Sequence, residues 1–188
     1  MKYDKTYLRN KSLLKRKKKY SKIKKFNFNL IFGLIRKHFH KEKIIIAGYY
    51  PSNYEVNILK FLEEASKKNF RITLPVIKSA NKMTFKSWVF KEPLYVNKFG
   101  ILEPKDSRKK IIPDLIMVPL VAFDNHLNRI GYGKGYYDIS LEKIRKIKKN
   151  AISLGIAYSF QKCKKIPVNN NDFRLDYIFT EKGIISSN

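Results

Sequence analysis

The stretch Leu115-Ile116-Met117-Val118-Pro119-Leu120-Val121 follows Asp114 without one polar side chain. A strand wetted on one side alternates apolar with polar residues, so an unbroken apolar run reads as a strand covered on both faces. A second run, Ile44-Ile45-Ile46-Ala47, continues through Gly48, Tyr49 and Tyr50 to Pro51 and reads the same way. Covering both faces of one sheet takes helices on either side. The expected fold is therefore α/β, a three-layer α/β/α domain around a mainly parallel open sheet. In such sheets ligands collect at the carboxyl ends of the strands.

The remaining pattern supplies the other elements. Residues 4–20 are predicted to form a basic amphipathic helix, and 26–40 a second helix. Strands are predicted over 44–50, 70–76, 83–90, 114–121, 151–157 and Tyr177–Thr180. A Gly-rich loop over 122–135 precedes a helix over 136–149. Ser52-x-x-Glu55 has the form of a capping box ahead of the helical stripe Val56, Ile58, Leu59, Leu62 and Ala65. No internal repeat and no Pro/Ser/Gly-rich linker interrupts the chain. Its 188 residues, 44% of them hydrophobic, fit a single domain over 1–188 with one core.

Charge is the loudest compositional feature: 41 basic against 15 acidic residues, a formal +26. Such a surface attracts polyanions, whether nucleic acid, acidic membrane or a phosphorylated ligand. The lysines are also spread as generic solvated positions would be, within 15–19, at 60 and 67–68 and within 143–149. Charge alone thus leaves a dedicated patch and a plain lysine-rich surface both open. The single Cys163 excludes an intrachain disulfide and a cysteine-rich zinc site. No apolar run approaches the ~20 residues of a membrane helix, and Met1-Lys2-Tyr3-Asp4-Lys5 leads into more charge rather than an apolar signal region. The expectation is a soluble, cytoplasmic protein in a reducing compartment.

The chemistry is concentrated in Phe123-Asp124-Asn125-His126-Leu127-Asn128-Arg129-Ile130-Gly131-Tyr132-Gly133-Lys134-Gly135-Tyr136-Tyr137-Asp138. Glycines at alternate positions follow a buried strand and open a helix. Glycine lets backbone approach a ligand closely and take positive φ. Successive amides in such a turn form an anion nest, to which the helix N-terminus adds its positive dipole end. Arg129 and Lys134 add full charges, so the assembly suits a polyphosphate. It is neither a P-loop, since GxxxxGK[ST] is absent, nor a Rossmann fingerprint, since Tyr136 stands where the third glycine belongs.

From Pro119-Leu120-Val121-Ala122-Phe123-Asp124 through Arg129 to Asp138, this segment closely resembles the signature of the 5-formyltetrahydrofolate cyclo-ligase family, also called methenyltetrahydrofolate synthetases. The resemblance runs in the family's order over nearly the whole chain. It takes in Lys5-x-x-Leu8-Arg9, Tyr49-Tyr50-Pro51 with Glu55, Leu74-Pro75, Met83-x-Phe85 and Gly100-Ile101-x-Glu103-Pro104. Asn171-Asp172 and Asp176 fall where the family places C-terminal acidic residues. Leu127 stands where the family has a turn glycine, so the left-handed residue there is expected to be Asn125 or Asn128. Ile139 replaces a common basic residue.

The resemblance implies that 5-formyltetrahydrofolate and ATP give 5,10-methenyltetrahydrofolate, ADP and phosphate, with Mg²⁺. The formyl oxygen attacks the γ-phosphate, and N10 then displaces phosphate from the activated carbon. Such chemistry asks a protein chiefly for positioning and charge neutralisation. By resemblance, Arg129 and Lys134 are the catalytic cations. ATP is bound by Lys5, Arg9, Arg129, Gly131, Gly133, Lys134, Gly135, Tyr136 and Tyr137. Tyr50, Glu55, Tyr132 and Tyr136 bind the folate, and Asp138 with Asp172 holds Mg²⁺. Independently of the family, Lys5 and Arg9 are i,i+4 on the first helix and point to one place, as a phosphate pair or a solvated basic face. Asp138 in a first helical turn suits the dipole without any metal. Asp176 reads either as a support behind the metal-holding carboxylates or as structural, and Tyr50 fits either a stack on the pterin or a core aromatic.

Other residues invite less. Cys163 lies among Lys162, Lys164 and Lys165, which lower a thiol pKa, but it has no partner base. His38 and His40 are two apart and do not share a helix face; His126 reads as an exposed loop residue and Trp88 as core. The rival readings are a basic RNA- or membrane-binding protein using residues 15–25, without any RNP, KH or zinc-finger motif, and a non-catalytic folate- or nucleotide-binding paralogue. A monomer is expected, with nucleic acid bound non-specifically if at all.

Overall fold

The computed structural model of the protein describes residues 4–23, 25–40, 43–79, 82–105 and 109–187. An eight-stranded sheet forms its centre. Five strands run parallel: β1 (Ile45–Ala47), β2 (Arg71–Ser79), β7 (Leu115–Pro119), β10 (Ile152–Ile156) and β11 (Tyr177–Thr180). They lie in the order β11-β10-β7-β1-β2. Three strands outside them pair antiparallel: β12 (Gly183–Ser186) on β11 at one edge, and β3 (Lys82–Ser87) followed by β6 (Lys110–Ile111) at the other. The mainly parallel α/β fold read from the apolar runs is present, and the antiparallel edges are an addition to it.

Alternation along the central strand decides the layers. Leu115 and Met117 of β7 join a core with α2 (Asn29–His38) and α3 (Leu59–Lys67), where Ile31, Ile35, Phe61 and Leu62 are buried. Ile116 and Val118 point the other way, into a core with Leu141 and Ile144 of α4 (Tyr136–Ile147). Both faces are dry, as the missing polar alternation required. Gly48 lets α3 approach: a Cβ there would meet the Leu62 methyls at 2.7 and 2.8 Å.

A smaller apolar cluster lies beyond the end of β7. There α1 (Lys5–Lys19), capped by the Asp4 carboxylate on the Tyr7 amide, sets Leu8 and Leu13 against the ribbon of β8 (Ala122–Phe123) and β9 (Arg129–Ile130). A second ribbon, β4 (Tyr95–Val96) with β5 (Leu102–Glu103), stands beside β2, to which Glu103 is tied by accepting the Ile77 amide at 3.1 Å.

Two sequence expectations are corrected. The Glu55 carboxylate does reach back to the Ser52 amide at 2.9 Å, yet no helix starts there. Asn53 and Tyr54 take φ of 45° and 62°, making a tight turn closed by Glu55 N–H to Ser52 C=O at 2.8 Å, and α3 begins only at Leu59. In the loop before Arg129 neither asparagine supplies the left-handed residue: Leu127 does so itself, at φ 63° and fully buried. The buried Asp124 carboxylate holds that turn by accepting the His126, Asn128 and Ile166 amides.

Candidate active site

A cavity of about 740 Å³ opens between α1, the Gly-rich loop, the Ser52–Glu55 turn and the β4–β5 ribbon. It sits at the carboxyl ends of the parallel strands, with Pro119 at the end of β7 in its wall. Lys5, Arg9, Tyr50, Glu55, Arg129, Gly131, Tyr132, Gly133, Lys134, Gly135, Tyr136, Tyr137, Asp138 and Asp172 all line it. Segments far apart in the chain thus bring every site residue read from the sequence to one place.

The floor is the loop from Gly131 into α4. Gly133 and Gly135 adopt φ of 92° and 67°, and Gly135 caps α4 with no side chain on the first-turn amides. Those amides carry the positive end of the helix dipole, with the Asp138 carboxylate in the same first turn. The Arg9 Nε donates to Gly131 C=O at 2.8 Å, and its guanidinium lies so close over Gly133 that a Cβ there would come within 3.3 Å of it. Lys134 is exposed and makes no bond to a described residue. These groups form a cradle for several negative charges.

Arg129 is buried and its Nη2 holds Asp138 Oδ1 at 2.8 Å, an oxygen that also accepts the Phe173 amide at 3.0 Å. Lys5 pairs with Asp172 Oδ2, which also accepts the Asn169 amide. Asp138 Oδ2 and Asp172 Oδ1 keep no bond to a described residue. No group of three or more His, Cys, Asp or Glu able to cage a metal occurs among the described residues. That donor set fits Mg²⁺, which takes one or two carboxylates and fills its shell with waters and phosphate oxygens.

The opposite wall is phenolic and carboxylic. Glu55 Oε1 accepts the Tyr132 hydroxyl at 2.9 Å, and Oε2 accepts the Ser52 amide and hydroxyl at 2.9 and 3.3 Å. Burial among the wall atoms raises the Glu55 pKa above the ordinary carboxylate value, against the opposing pull of the Ser52 amide, the Arg16 charge and Tyr132. Tyr137 is raised by burial and the nearby Glu55 charge, and its hydroxyl is buried without a partner among the described residues. A buried donor with nothing to bond is an unspent contact. Phe99, half exposed on the ribbon, faces Tyr136 at 6.3 Å between ring centres.

Several residues fall elsewhere. Asp176 accepts Ser153 N–H and Oγ–H and pairs with Arg145, fastening the start of β11 to β10 away from the cavity. The Cys163 thiol donates to Phe123 C=O, and burial raises its pKa rather than lowering it, so the flanking lysines do not activate it. His38 bonds the Tyr177 hydroxyl, His126 is exposed, and Trp88 is core. Arg16 was hidden among the lysines of 15–19, yet it is buried at the cavity's edge, bonding Leu120 C=O and the Tyr132 hydroxyl. Its signal was present: it lies eleven residues after Lys5, hence on the same helical stripe.

Comparison with known proteins points one way. Residues 1–181 match the model of the 5-formyltetrahydrofolate cyclo-ligase family. A 5-formyltetrahydrofolate cyclo-ligase of Haemophilus influenzae is 32% identical over 136 residues, which span 69% of this chain and 72% of that protein. Its Escherichia coli counterpart is 29% identical over 145 residues, 74% of this chain and 79% of that one. Among solved structures, the 5,10-methenyltetrahydrofolate synthetase of Aquifex aeolicus superposes with a TM-score of 0.73 at 29% identity, covering 97% of this chain and 92% of that one. The Mycoplasma pneumoniae synthetase gives 0.70 at 26%, covering 95% and 99%.

Proposed function

The chain belongs to the 5-formyltetrahydrofolate cyclo-ligase family, and from that premise we propose that it converts 5-formyltetrahydrofolate and ATP to 5,10-methenyltetrahydrofolate, ADP and phosphate in this cavity. The observation that carries the reading is the convergence of α1, the Gly-rich loop, the turn after β1 and residue 172 on one space of about 740 Å³. One end of that space is cationic and lined with helix-terminal amides; the other holds Glu55 among phenols.

The division of labour follows from charge. Arg9, Lys134 and the first amides of α4 take the triphosphate, since they are donors or cations that no described carboxylate is bonded to. Arg129, fixed by Asp138, cannot swing away and meets the transferring phosphoryl group with its remaining N–H donors, one of which, Nε, is buried and unbonded. Asp138 and Asp172 are the residues that would hold Mg²⁺, each through its free oxygen. The metal, when bound, supplies charge neutralisation on the phosphates. Glu55, acceptor-only when ionised, fits N–H donors of the folate, with Tyr50, Tyr132 and Tyr136 as its flanking rings. Tyr137 has a hydroxyl to give to whichever substrate passes it.

Both cores share one sheet, which supports a single domain. No described helix is long and apolar enough to cross a membrane, and the cytoplasm, where ATP is made available, suits the reaction. The test is the rise in methenyltetrahydrofolate absorbance on mixing protein, 5-formyltetrahydrofolate, ATP and Mg²⁺, with each component omitted in turn. Product is expected only from the complete mixture. No product from it would overturn the reading.

A further inference from the structure

Arg16 is 1% exposed, the most buried cation among the described residues. Its Nη1 donates to Leu120 C=O at 3.2 Å, its Nη2 to the Tyr132 hydroxyl, and the guanidinium lies 5.6 Å from the centre of the Tyr132 ring. Its Nε has no partner, and no described carboxylate is within ion-pair distance of it. A carbonyl, a hydroxyl and a ring face are poor compensation for taking a full charge out of water. An unbranched apolar side chain would fill the same space without that cost. The fold alone therefore gives no reason for arginine here.

The site does. A guanidinium has donors only, so the Tyr132 oxygen must accept from it, and the single Tyr132 proton is directed onward. It goes to Glu55 Oε1, at 2.9 Å, while Ser52 occupies Oε2. We propose that Arg16 is a positioning residue for the folate: acting through Tyr132, it fixes the Glu55 carboxylate as an oriented acceptor in the cavity wall. The inference rests on the folate-binding reading of Glu55 given above.

The other groups that face Glu55 cannot do this. From the end of β1 comes Tyr49, whose hydroxyl is committed to Val56 C=O at 2.8 Å. From α4 and from the segment after β10 come Tyr137 and Tyr158, both neutral phenols acting at a distance. Arg16 is the one cation among the groups that bear on Glu55, and it opposes the effect of burial on that carboxyl.

The variants are Arg16→Met, Tyr132→Phe and the pair combined. For each, folate KM, kcat, ATP affinity without folate, the pH profile of kcat/KM for folate, and Tm are measured. Arg16→Met is expected to keep or raise Tm, because it removes an uncompensated buried charge. It should raise the folate KM about 10-fold, the effect of losing a hydrogen bond to a charged group. The acid limb of the profile should move to higher pH, with ATP affinity unchanged. Tyr132→Phe should do the same to KM and the limb, and the double variant should be no worse than the worse single. A folate KM within two-fold of the parent, an unmoved acid limb, or ATP affinity falling in parallel would overturn the proposal. If Arg16→Met does not fold, Tyr132→Phe, at a residue 39% exposed, carries the test. If the parent itself makes no product, the functional reading has failed. The relay is then read by NMR titration of the Glu55 carboxyl in parent and Tyr132→Phe, where an unchanged titration overturns it.

Discussion

Arg129 Nη2 and Asp138 Oδ1 lie 2.8 Å apart, joining the strand that enters the Gly-rich loop to the helix that leaves it. The pair clamps the loop from beneath while Gly131, Gly133 and Gly135 leave its backbone open to the cavity. A cation read as catalytic is in this way also part of the loop's frame. Lys134, at the exposed tip, has no such second task.

That difference predicts unlike variants. Lys134→Ala should lower kcat/KM for ATP ten- to a hundred-fold, the loss of about 1.5–3 kcal/mol from one charge-assisted contact, and leave Tm unchanged. Arg129→Ala should lose at least as much activity and also about 3 kcal/mol of stability, because Asp138 is left half-buried without its counter-charge. Denaturant melts beside steady-state kinetics check both. Equal stability of the two variants would refute the clamp.

Asp138→Asn keeps a side-chain oxygen for the Arg129 and Phe173 N–H groups but offers a hard cation a neutral amide. The Mg²⁺ concentration for half-maximal rate should rise while the fold persists. A superimposable Mg²⁺ titration would leave Asp138 as the clamp alone.

Glu55→Gln removes the charge and keeps one acceptor oxygen, enough for Ser52, while its amide nitrogen turns a donor toward Tyr132. The folate KM should rise about 10-fold, with ATP binding in the absence of folate near the parent value. Since burial raises the Glu55 pKa, the ionised form is lost as pH falls through a value above the ordinary carboxylate range. The parent's kcat/KM for folate should therefore decline on the acid side earlier than an exposed glutamate would dictate, and the Gln variant should lose that limb. A limb that survives the substitution belongs to another group.

Leu127 is a buried leucine held at φ 63°, a conformation that costs an L-residue about 1–2 kcal/mol. Leu127→Ala should destabilise by about 3 kcal/mol, losing burial and keeping the strain. Leu127→Gly loses the same burial but releases the strain, so it should be about 1 kcal/mol more stable than the alanine variant, the reverse of the usual ranking within regular structure. Urea unfolding decides the order.

The parts of this architecture that sequence exposed were those written in strong local patterns. Unbroken apolar runs gave the buried strands, and alternating glycines with embedded cations gave the cationic floor of the cavity. The i,i+4 spacing of Lys5 and Arg9 brought both into the cavity. Ser52 and Glu55 misled because the reciprocal bond of a capping box is really there, on a left-handed turn that Asn53 tolerates but Tyr54 does not favour. Leu127 misled for the same reason: buried contacts hold it where asparagine was expected. The short antiparallel edges, two residues in β6 and four in β12, carry too little pattern to be read. Arg16 was masked by its lysine neighbours, since burial of one cation among many is decided by tertiary packing.

The bond from Lys5 to Asp172 spans 167 positions of sequence, and that from Arg9 to Gly131 spans 122. On the ribosome α1 emerges early and has nothing to rest on, because the loop it covers and the carboxylate it pairs with are made much later. Contacts so distant along the chain close slowly, after the local ones. The cavity wall formed by the first helix is thus among the last parts to be set in place, and a nascent chain with its sheet half assembled has an open cavity. That wall closes only once residue 172 has been made and α1 can fold back onto it.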